Sequence, residues 1–460
     1  MKNWSLNHAR HLLMRAGFCG RREELDQVYR DGMIGSVDKL LSGSTQKIPR
    51  PEWPDVPANG ARLSDEERQA QRRRNRQRQQ ELVNDWVQRM ITASTPADML
   101  QHRMIMFWHG HFTTSIQKVK NPIPVYNQLK LFHEQALGNY GHLLNSIVYD
   151  PAMLLYLDNT KNRRGKPNEN LAREVMELFS LGPGNYSETD IKEGARALTG
   201  AGVGPTGYRF SKGQHDDGIK TILGSTGNHD GDAFVRIILQ QPACAGFMIR
   251  KLWRYFAGTD GEPSVIRSIT RDFRAANYDT KTALRSIFTH PQFYSESVIG
   301  AQVKSPVQLV VGTARTLQLQ VSTPNFYRRM LALMGQVPYQ PPNVKGWPDN
   351  RAWIDTSRLL TRYTFAEMIA QGGIPGDVNP RMMGGKTAIS FDPMPIAGDV
   401  IDPDAAIAEI CNVLLAIPPT DKEHRQLAIE LGHEMKRPRH DDALRDAIGA
   451  VMRLPQFQLC

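Results

Sequence analysis

Apolar positions recur every three to four residues along most of the chain, which is the period of an amphipathic α-helix. Residues 8–42 predict two short helices, and residues 126–147 predict one longer helix with several leucines on a single face. A short helix followed by a polar loop is predicted from residue 150 onward. Further helices are predicted at 167–182, 189–200, 231–240, 242–256, 263–276, 280–288, 306–317 and 356–369, and from residue 404 to the end.

Helix starts are marked by residues that satisfy the unpaired amides of a first turn. Ser64 and Glu67 have the spacing of a capping box. Thr95 is a favourable N-cap and Pro96 suits the first helical position, whereas Gly110 is expected to end that helix. Almost no apolar residue lies between Leu63 and Leu82, so the helix there cannot bury a face and should project from the body.

Strand signals are few. Residues 208–210 and 220–223 are β-prone pieces in a glycine-rich stretch, and they predict a small β-hairpin near residues 205–225. The predicted fold class is therefore mainly α, a multi-helix globular body with this hairpin as an excursion. We expect one large helical domain over 1–460, with a proline-rich connector at 43–60, a projecting arginine-rich helix at 61–93, a polar loop at 372–400 and a C-terminal helical segment at 401–460.

The chain has 460 residues, of which 40% are hydrophobic, enough to bury a substantial core. No apolar run is long enough for a membrane span or a signal peptide, so a cytoplasmic location is the expectation from these residues. The 4 cysteines lie far apart and form no CxxC pair, which argues against a zinc knuckle and favours separate buried thiols.

The formal net charge of +10 owes much to six arginines between Arg68 and Arg78. Such a run can grip phosphate groups, but it is more often a solvated helix face. No aromatic residues alternate with these arginines, so base stacking has no support and nucleic acid is not the expected partner.

Known catalytic and nucleotide-binding motifs are not satisfied. The glycines of 202–207 have dinucleotide spacing but follow a predicted helix instead of a strand. Residues 384–387 end like a phosphate-binding loop, but Pro380 occupies the position of its first glycine. The sequence contains no GxSxG elbow.

Two groups of histidines and acids are candidates for chemistry. His109 is expected in the last turn of its helix and His111 just beyond Gly110; they either cap and stabilise the turn or act as metal ligands or acid–base groups. His215 and Asp217 share a loop with Asp216, a combination that suits a hard metal or acid–base catalysis as well as a solvated turn.

The helix predicted at 167–182 carries its polar residues on one half and its apolar residues on the other. Glu169, Arg173 and Glu177 have the spacing of an ion-pair ladder, worth about 0.2–0.5 kcal/mol per pair. The polar half is either a wet surface or the wall of a site. Asn168 and Asn170 lie in its first turn. Because asparagine is a poor helix former, its presence there favours a role in holding a fixed geometry.

These motifs resemble the bacterial family called domain of unknown function 1800. The likeness begins with HLLMRAGFCG and continues through MFWHGHFTTS, the long run from PAMLLYLDN to ARALTG, HDDGIKTILGSTGNHDGD, CAGFMIRKLWRYF, KSPVQLVVGTAR and PPNVKGWPDNRAWIDTS. The resemblance implies a predominantly helical protein without an established activity. Members are often exported and often encoded beside a sulfatase-like protein, so the resemblance implies a sulfatase-like partner and leaves export open.

The segments that carry the resemblance are polar loops and faces, which suggests a site more than packing. Under the first hypothesis, the protein is a hydrolase or lyase acting on a polar or anionic polymer such as a polysaccharide, with or without a divalent metal ion. The candidate catalytic residues are Glu169, Glu174, Glu177, His109 and His215. The candidate metal ligands are His109, His111, His215 and Asp217. The candidate substrate-binding residues are Asn168, Asn170, Arg173, Arg196, Asn343, Lys345 and Trp347.

The alternative hypothesis is a non-enzymatic binding or assembly module in which the same polar residues form a buried network that fixes helix packing. Trp347 and Trp353 would stack on a sugar ring in the first case and fill the core in the second. The two hypotheses differ in whether the polar segments converge on a hollow that solvent can enter.

Overall fold

Helices dominate the computed structural model, which describes residues 4–49, 51–53, 64–373, 387–398, 402–435 and 440–460. The prediction of a mainly α fold is confirmed. The α-helices of the N-terminal half are Leu6–Ala16, Arg22–Leu41, Asp65–Thr92, Pro96–His111, Ile116–Val119, Pro122–Gln135, Tyr140–Val148, Pro151–Tyr156, Asn170–Glu174 and Glu188–Ala197. Those of the C-terminal half are Gly231–Gln240, Pro242–Ala257, Pro263–Ala275, Thr280–Phe288, Pro306–Thr316, Phe326–Met334, Thr356–Ala370, Met394–Ala397, Pro403–Leu414, Asp421–Glu434 and His440–Met452.

The β-structure of the described residues consists of two-stranded antiparallel pairs. The two β-prone pieces do not pair with each other as expected, because each has its own partner one tight turn away. Ala201–Gly204 pairs with Gly207–Phe210, and Lys220–Ile222 pairs with Ser225–Gly227. A third pair joins Gln320–Val321 to Ile389–Ser390.

Helix Pro96–His111, hereafter the central helix, lies inside the hydrophobic core. All of its residues except Pro96 and Gly110 are buried. A helix that is buried nearly all round has to be surrounded by other elements. The central helix nevertheless carries Arg103, His109 and His111 into this interior, which points to a role for polar groups there.

The expectation that Gly110 ends the central helix is wrong. The helix continues through His111, and the backbone N–H of Phe112 donates to the Trp108 carbonyl. Residues two apart on a helix face nearly opposite directions, since each residue turns it by about 100°. The side chains of His109 and His111 therefore leave nearly opposite sides of the central helix.

The helix expected at 126–147 is also wrong, because two helices replace it. Gly138 is a weak helix former, and the Asn139 side chain accepts a hydrogen bond from the N–H of His142 and so starts a second helix. The freed backbone groups pair with another turn, since Tyr140 N–H donates to Tyr278 O and Thr280 N–H donates to Gly138 O. Tertiary pairing thus decides where the first helix ends.

The arginine-rich helix Asp65–Thr92 has the predicted capping box and is mostly exposed up to Gln77. Parts of the predicted connector 43–60 and polar loop 372–400 lie outside the described residues, as do positions 384–386 of the rejected phosphate-loop motif. The four cysteines are buried free thiols. No helix in the described part of the chain is long and apolar enough to cross a membrane.

Asp150 is a buried acid at the start of helix Pro151–Tyr156. Its Oδ1 accepts hydrogen bonds from the N–H of Met153 and, at 2.7 Å, from Gln128 Nε2. Burial outweighs these bonds and raises the pKa of Asp150 to about 7. The folded protein therefore holds this proton more tightly than the unfolded chain does.

We expect this proton to make stability depend on pH. Because the folded pKa lies above the ordinary value, the contribution is fully present in acid and is lost as pH rises from about 4 to above 7, by roughly 2–4 kcal/mol. Asp150→Asn should remove this dependence while keeping the helix cap. Urea unfolding of both proteins at pH 5 and pH 8 measures it, with the exposed helix cap Asp402→Asn as matched control. Parallel pH profiles for the native protein and Asp150→Asn would contradict the assignment.

Candidate functional site

A cavity of about 330 Å³ opens beside the central helix. We call it the central cavity. Its walls come from the central helix, helix Pro242–Ala257, the segment 302–308 and the loop 347–353. Among the lining residues are Arg103, Phe107, His111, Lys251, Arg254, Tyr255, Gln302, Gln308, Gln336, Trp347, Asp349 and Trp353.

The loop that carries Trp347 rests directly on the central helix. Gly346 has φ of +87°, and a Cβ at this position would overlap the carbonyl oxygen of Gly110. Only glycine combines this backbone conformation with so close an approach. The contact sets the Trp347 ring 5.2 Å from the His109 ring and places Trp347 at the cavity wall.

His111 and Lys251 form a hydrogen-bonded pair at this wall. His111 Nε2 lies 2.9 Å from the Phe179 carbonyl, so Nε2 carries the hydrogen and donates it. Its Nδ1 is then an acceptor, and Lys251 Nζ donates to it at 3.1 Å. Burial, then the Lys251 charge, hold the pKa of His111 well below its ordinary value, and burial lowers the pKa of Lys251 to about 8.

The glutamate-rich helix contributes backbone oxygens to this pair. Helix Asn170–Glu174 continues as a π-helical turn over Val175–Ser180. The Leu178 carbonyl accepts a hydrogen bond from Lys251 Nζ at 3.0 Å, and the Phe179 carbonyl also accepts one from the Tyr140 hydroxyl. These carbonyls belong to the last turn of the helix, where they have no partner within it, so side chains from other helices satisfy them.

Arg103 is the buried cation of the central cavity. Arg103 is only 2% exposed, and its guanidinium carbon stacks 4.6 Å from the centre of the Tyr255 ring. Nε donates to the Arg15 carbonyl, but Nη2 is buried without a hydrogen-bond partner among the described residues. A buried guanidinium nitrogen left in this way is costly unless a ligand completes it.

The central cavity has an excess of positive charge. Arg103, Lys251 and Arg254 line it, whereas Asp349 is the one carboxylate among its lining residues. Asp349 lies 3.3 Å from Arg254, and both side chains are largely exposed. The inner part of the cavity therefore presents the guanidinium of Arg103 and the amine of Lys251, with no carboxylate among its lining residues.

The three candidate glutamates lie on the helix but not on the cavity wall. Glu169 pairs with Arg173 at 3.1 Å, and Glu177 accepts a hydrogen bond from Tyr186 at 2.8 Å. Glu174 is half-buried and has no hydrogen-bond partner among the described residues; burial and the neighbouring Glu177 raise its pKa. Glu174 is thus the one of the three that stays available for proton transfer.

His109 and His215 occupy separate surroundings. His109 Nε2 accepts the backbone N–H of Tyr339 at 2.9 Å, and burial lowers its pKa to about 3. His215 lines a smaller cavity of about 190 Å³ with Tyr149 and Tyr208, and its Nδ1 lies 2.9 Å from the Thr199 carbonyl. Asp217 is exposed and pairs with Arg164. Within the described ranges, no three His, Cys, Asp or Glu side chains are grouped so as to hold a metal ion.

The candidate arginines are neutralised inside the protein. Arg173 bonds both carboxylate oxygens of Glu188, and Arg196 bonds Glu193 and Asp216, which lowers the pKa of Asp216 to about 2. Asn168 and Asn343 accept hydrogen bonds from backbone N–H groups two residues ahead, while Asn170 and Lys345 are exposed. Of all the predicted site residues, His111 and Trp347 line the central cavity.

Sequence reasoning missed Arg103 and Lys251. A signal was present for each. Arg103 is a charged residue directly before the apolar run MIMFW, and Lys251 lies in the segment CAGFMIRKLWRYF, which helps to carry the family resemblance. Neither signal identifies a partner, because the residues meet only after folding brings positions about 150 apart together.

Comparison with known proteins gives a family without an activity. No curated protein and no solved structure matches the chain. A family model described as a protein of unknown function (DUF1800) matches residues 11–459, nearly the whole length. The chain therefore belongs to the DUF1800 family.

Proposed function

We propose that this protein binds an organic anion in the central cavity. The observation that carries the proposal is Arg103, a cavity-lining residue whose buried Nη2 has no hydrogen-bond partner among the described residues, in a cavity whose one lining carboxylate pairs with Arg254. An arginine stacked on an aromatic ring is well suited to a planar carboxylate or a sulfate group, because its paired N–H groups match two oxygens at once.

The other residues that line the central cavity suit a ligand that contains a ring. Phe107, Tyr255, Trp347 and Trp353 supply aromatic surface, and buried Gln302 and Gln308 supply amide groups. A volume of about 330 Å³ is at the lower end of the range for ligand pockets. An acidic sugar unit of a polysaccharide has the right combination of one anionic group, several hydroxyls and a face that stacks on aromatic rings.

A second candidate function is hydrolysis or elimination on such an anionic polymer. The His111–Lys251 pair favours it, since a lysine with a pKa of about 8 can exchange protons near neutral pH. Glu174, half-buried and without a partner, is a further acid–base group on the adjoining helix. A binding module and an enzyme would share the anion site and differ in turnover.

Calorimetry with matched ligands tests the binding proposal. We expect a uronic acid to bind and the corresponding neutral sugar, which differs in that one group, to bind at least about tenfold more weakly. Added salt should weaken binding only modestly because the Arg103 contact is buried. Inorganic sulfate serves as a third ligand that carries charge without a ring. Equal affinity for the acidic and neutral sugars, or no binding of either sugar or of sulfate, would refute an anion site.

A further inference from the structure

The geometry points to Lys251 as a nucleophilic amine that forms an imine with a carbonyl group of an anionic ligand in the central cavity. This inference rests on the proposed anion site and names the ligand class more closely, as an aldehyde or ketone that also carries a carboxylate.

The hydrogen bonds around Lys251 match a neutral amine. Its Nζ has two acceptors among the described residues, His111 Nδ1 at 3.1 Å and the Leu178 carbonyl at 3.0 Å. Neither acceptor can donate a hydrogen bond to Nζ. The Leu178 carbonyl carries no hydrogen, and the ring hydrogen of His111 is on Nε2, where it bonds the Phe179 carbonyl. A neutral amine has two N–H bonds, which these acceptors use, and its lone pair then occupies the remaining position.

The surroundings also shift the balance toward the neutral form. Besides the two acceptors, Nζ lies 5.0 Å from the centre of the Phe247 ring, but no carboxylate among the described residues forms an ion pair with it, and the cavity wall holds Arg103 and Arg254 as further cations. The lining carboxylate, Asp349, pairs with Arg254. Burial without a counter-charge disfavours the ammonium, as it does for the nucleophilic lysines that form Schiff bases.

Arg103 and Lys251 together define the ligand. Both line the same cavity, the first as a buried cation with an unpartnered nitrogen and the second as an amine. A ligand whose anionic group is held by Arg103 and whose carbonyl carbon reaches Nζ would react in a held geometry instead of by chance encounter. A compound that carries both a carboxylate and an aldehyde or ketone meets both requirements.

Imine formation needs no reactant besides the Lys251 amine and the carbonyl compound. The Lys251 lone pair attacks the carbonyl carbon, and both amine hydrogens leave with the carbonyl oxygen as water, which gives a C=N bond. The neutral imine has no N–H; protonation of its nitrogen adds one, for which His111 Nδ1 and the Leu178 carbonyl remain as acceptors. His111 is a positioning residue in this step.

Reductive trapping on the intact protein tests the inference. With glyoxylate, a carboxylated aldehyde, and cyanoborohydride at pH 7, we expect Lys251 to be alkylated at least about tenfold faster than exposed Lys192 and Lys212, because far more of its amine is neutral. Acetaldehyde meets the same neutral amine but lacks the carboxylate that Arg103 would hold, so its preference for Lys251 should be smaller than that of glyoxylate. Peptide mass spectrometry gives the rate at each lysine in one sample, so folding of a variant does not enter.

The outcomes separate the two proposals. Labelling of Lys251 no faster than of Lys192 while a uronic acid still binds would overturn the imine and leave the anion site standing. Fast labelling of Lys251 by both aldehydes alike, with no binding of a uronic acid, would overturn the anion site. It would also overturn the carboxylated ligand and leave Lys251 as a reactive amine alone. In Arg103→Met, glyoxylate should label Lys251 no faster than acetaldehyde does.

Discussion

Arg103→Met is expected to weaken binding of an organic anion by about 10- to 100-fold, because it removes a charge-assisted hydrogen bond from a buried site. The methionine side chain retains most of the packing against Tyr255, on which the guanidinium stacks at 4.6 Å. Calorimetric titration of the native protein and the variant with the same uronic acid measures the loss. Affinity for the neutral sugar should stay as it is, since that ligand has no group for Arg103 to bind.

Two further variants make this result specific. Arg10→Met removes another buried arginine, one that bonds the Leu415 carbonyl and does not line the cavity, and it should leave anion affinity unchanged. Arg103→Lys keeps the charge but loses the planar pair of donors, so its affinity should fall between those of the native protein and Arg103→Met. Undiminished binding by a folded Arg103→Met would exclude Arg103 as the anion-binding group.

Several local features could be predicted because a few neighbouring residues determine them. Thr95 with Pro96, and Ser64 with Glu67, start helices in the structure as expected, since an N-cap depends on side chains within one turn. The helices at 231–240 and 280–288 have the predicted bounds. The helix Asp65–Thr92 is mostly exposed up to Gln77, in keeping with the lack of apolar positions before Leu82.

The π-helical turn at Val175–Ser180 could not be predicted in the same way. Its exposed carbonyls are stabilised by His111, Tyr140 and Lys251, which come from other helices. The sequence of this helix shows an ordinary amphipathic period. The pattern indicates its glutamate side chains as candidates and does not indicate that its backbone oxygens accept hydrogen bonds from other helices. The side chains that line the cavity come from three distant parts of the chain, and no local sequence pattern predicts that they come together.

The charge pairing of the polar segments was equally hidden. Arg173 and Arg196 look from the sequence like anion-binding groups, but each has carboxylate partners close by in space. Arg103 follows Gln101 and His102 and does not stand out in the sequence, yet it is a cavity-lining arginine with a buried nitrogen that has no partner among the described residues. Which cation remains free for a ligand is a property of the folded arrangement.

Gly346→Ala is expected to destabilise the fold by roughly 2–4 kcal/mol and to disturb the Trp347 wall of the central cavity. Two effects add: a side chain at φ of +87° is strained, and the new Cβ overlaps the Gly110 carbonyl of the central helix. The loop can relieve the overlap only by lifting away, which would carry Trp347 with it. Urea unfolding measures the first effect, and titration with a uronic acid measures the second.

Gly224→Ala separates these two effects. Gly224 has φ of +83°, close to that of Gly346, but a Cβ there meets nothing within 4 Å. It should therefore show the strain alone, about 1 kcal/mol, and keep full ligand affinity. If Gly346→Ala lost no more stability than Gly224→Ala and bound the uronic acid as well as the native protein does, the contact between Gly346 and Gly110 would not be what holds Trp347 at the cavity. If Gly346→Ala loses both, the loop and the central helix form one wall, and the cavity depends on backbone that approaches backbone where no side chain fits.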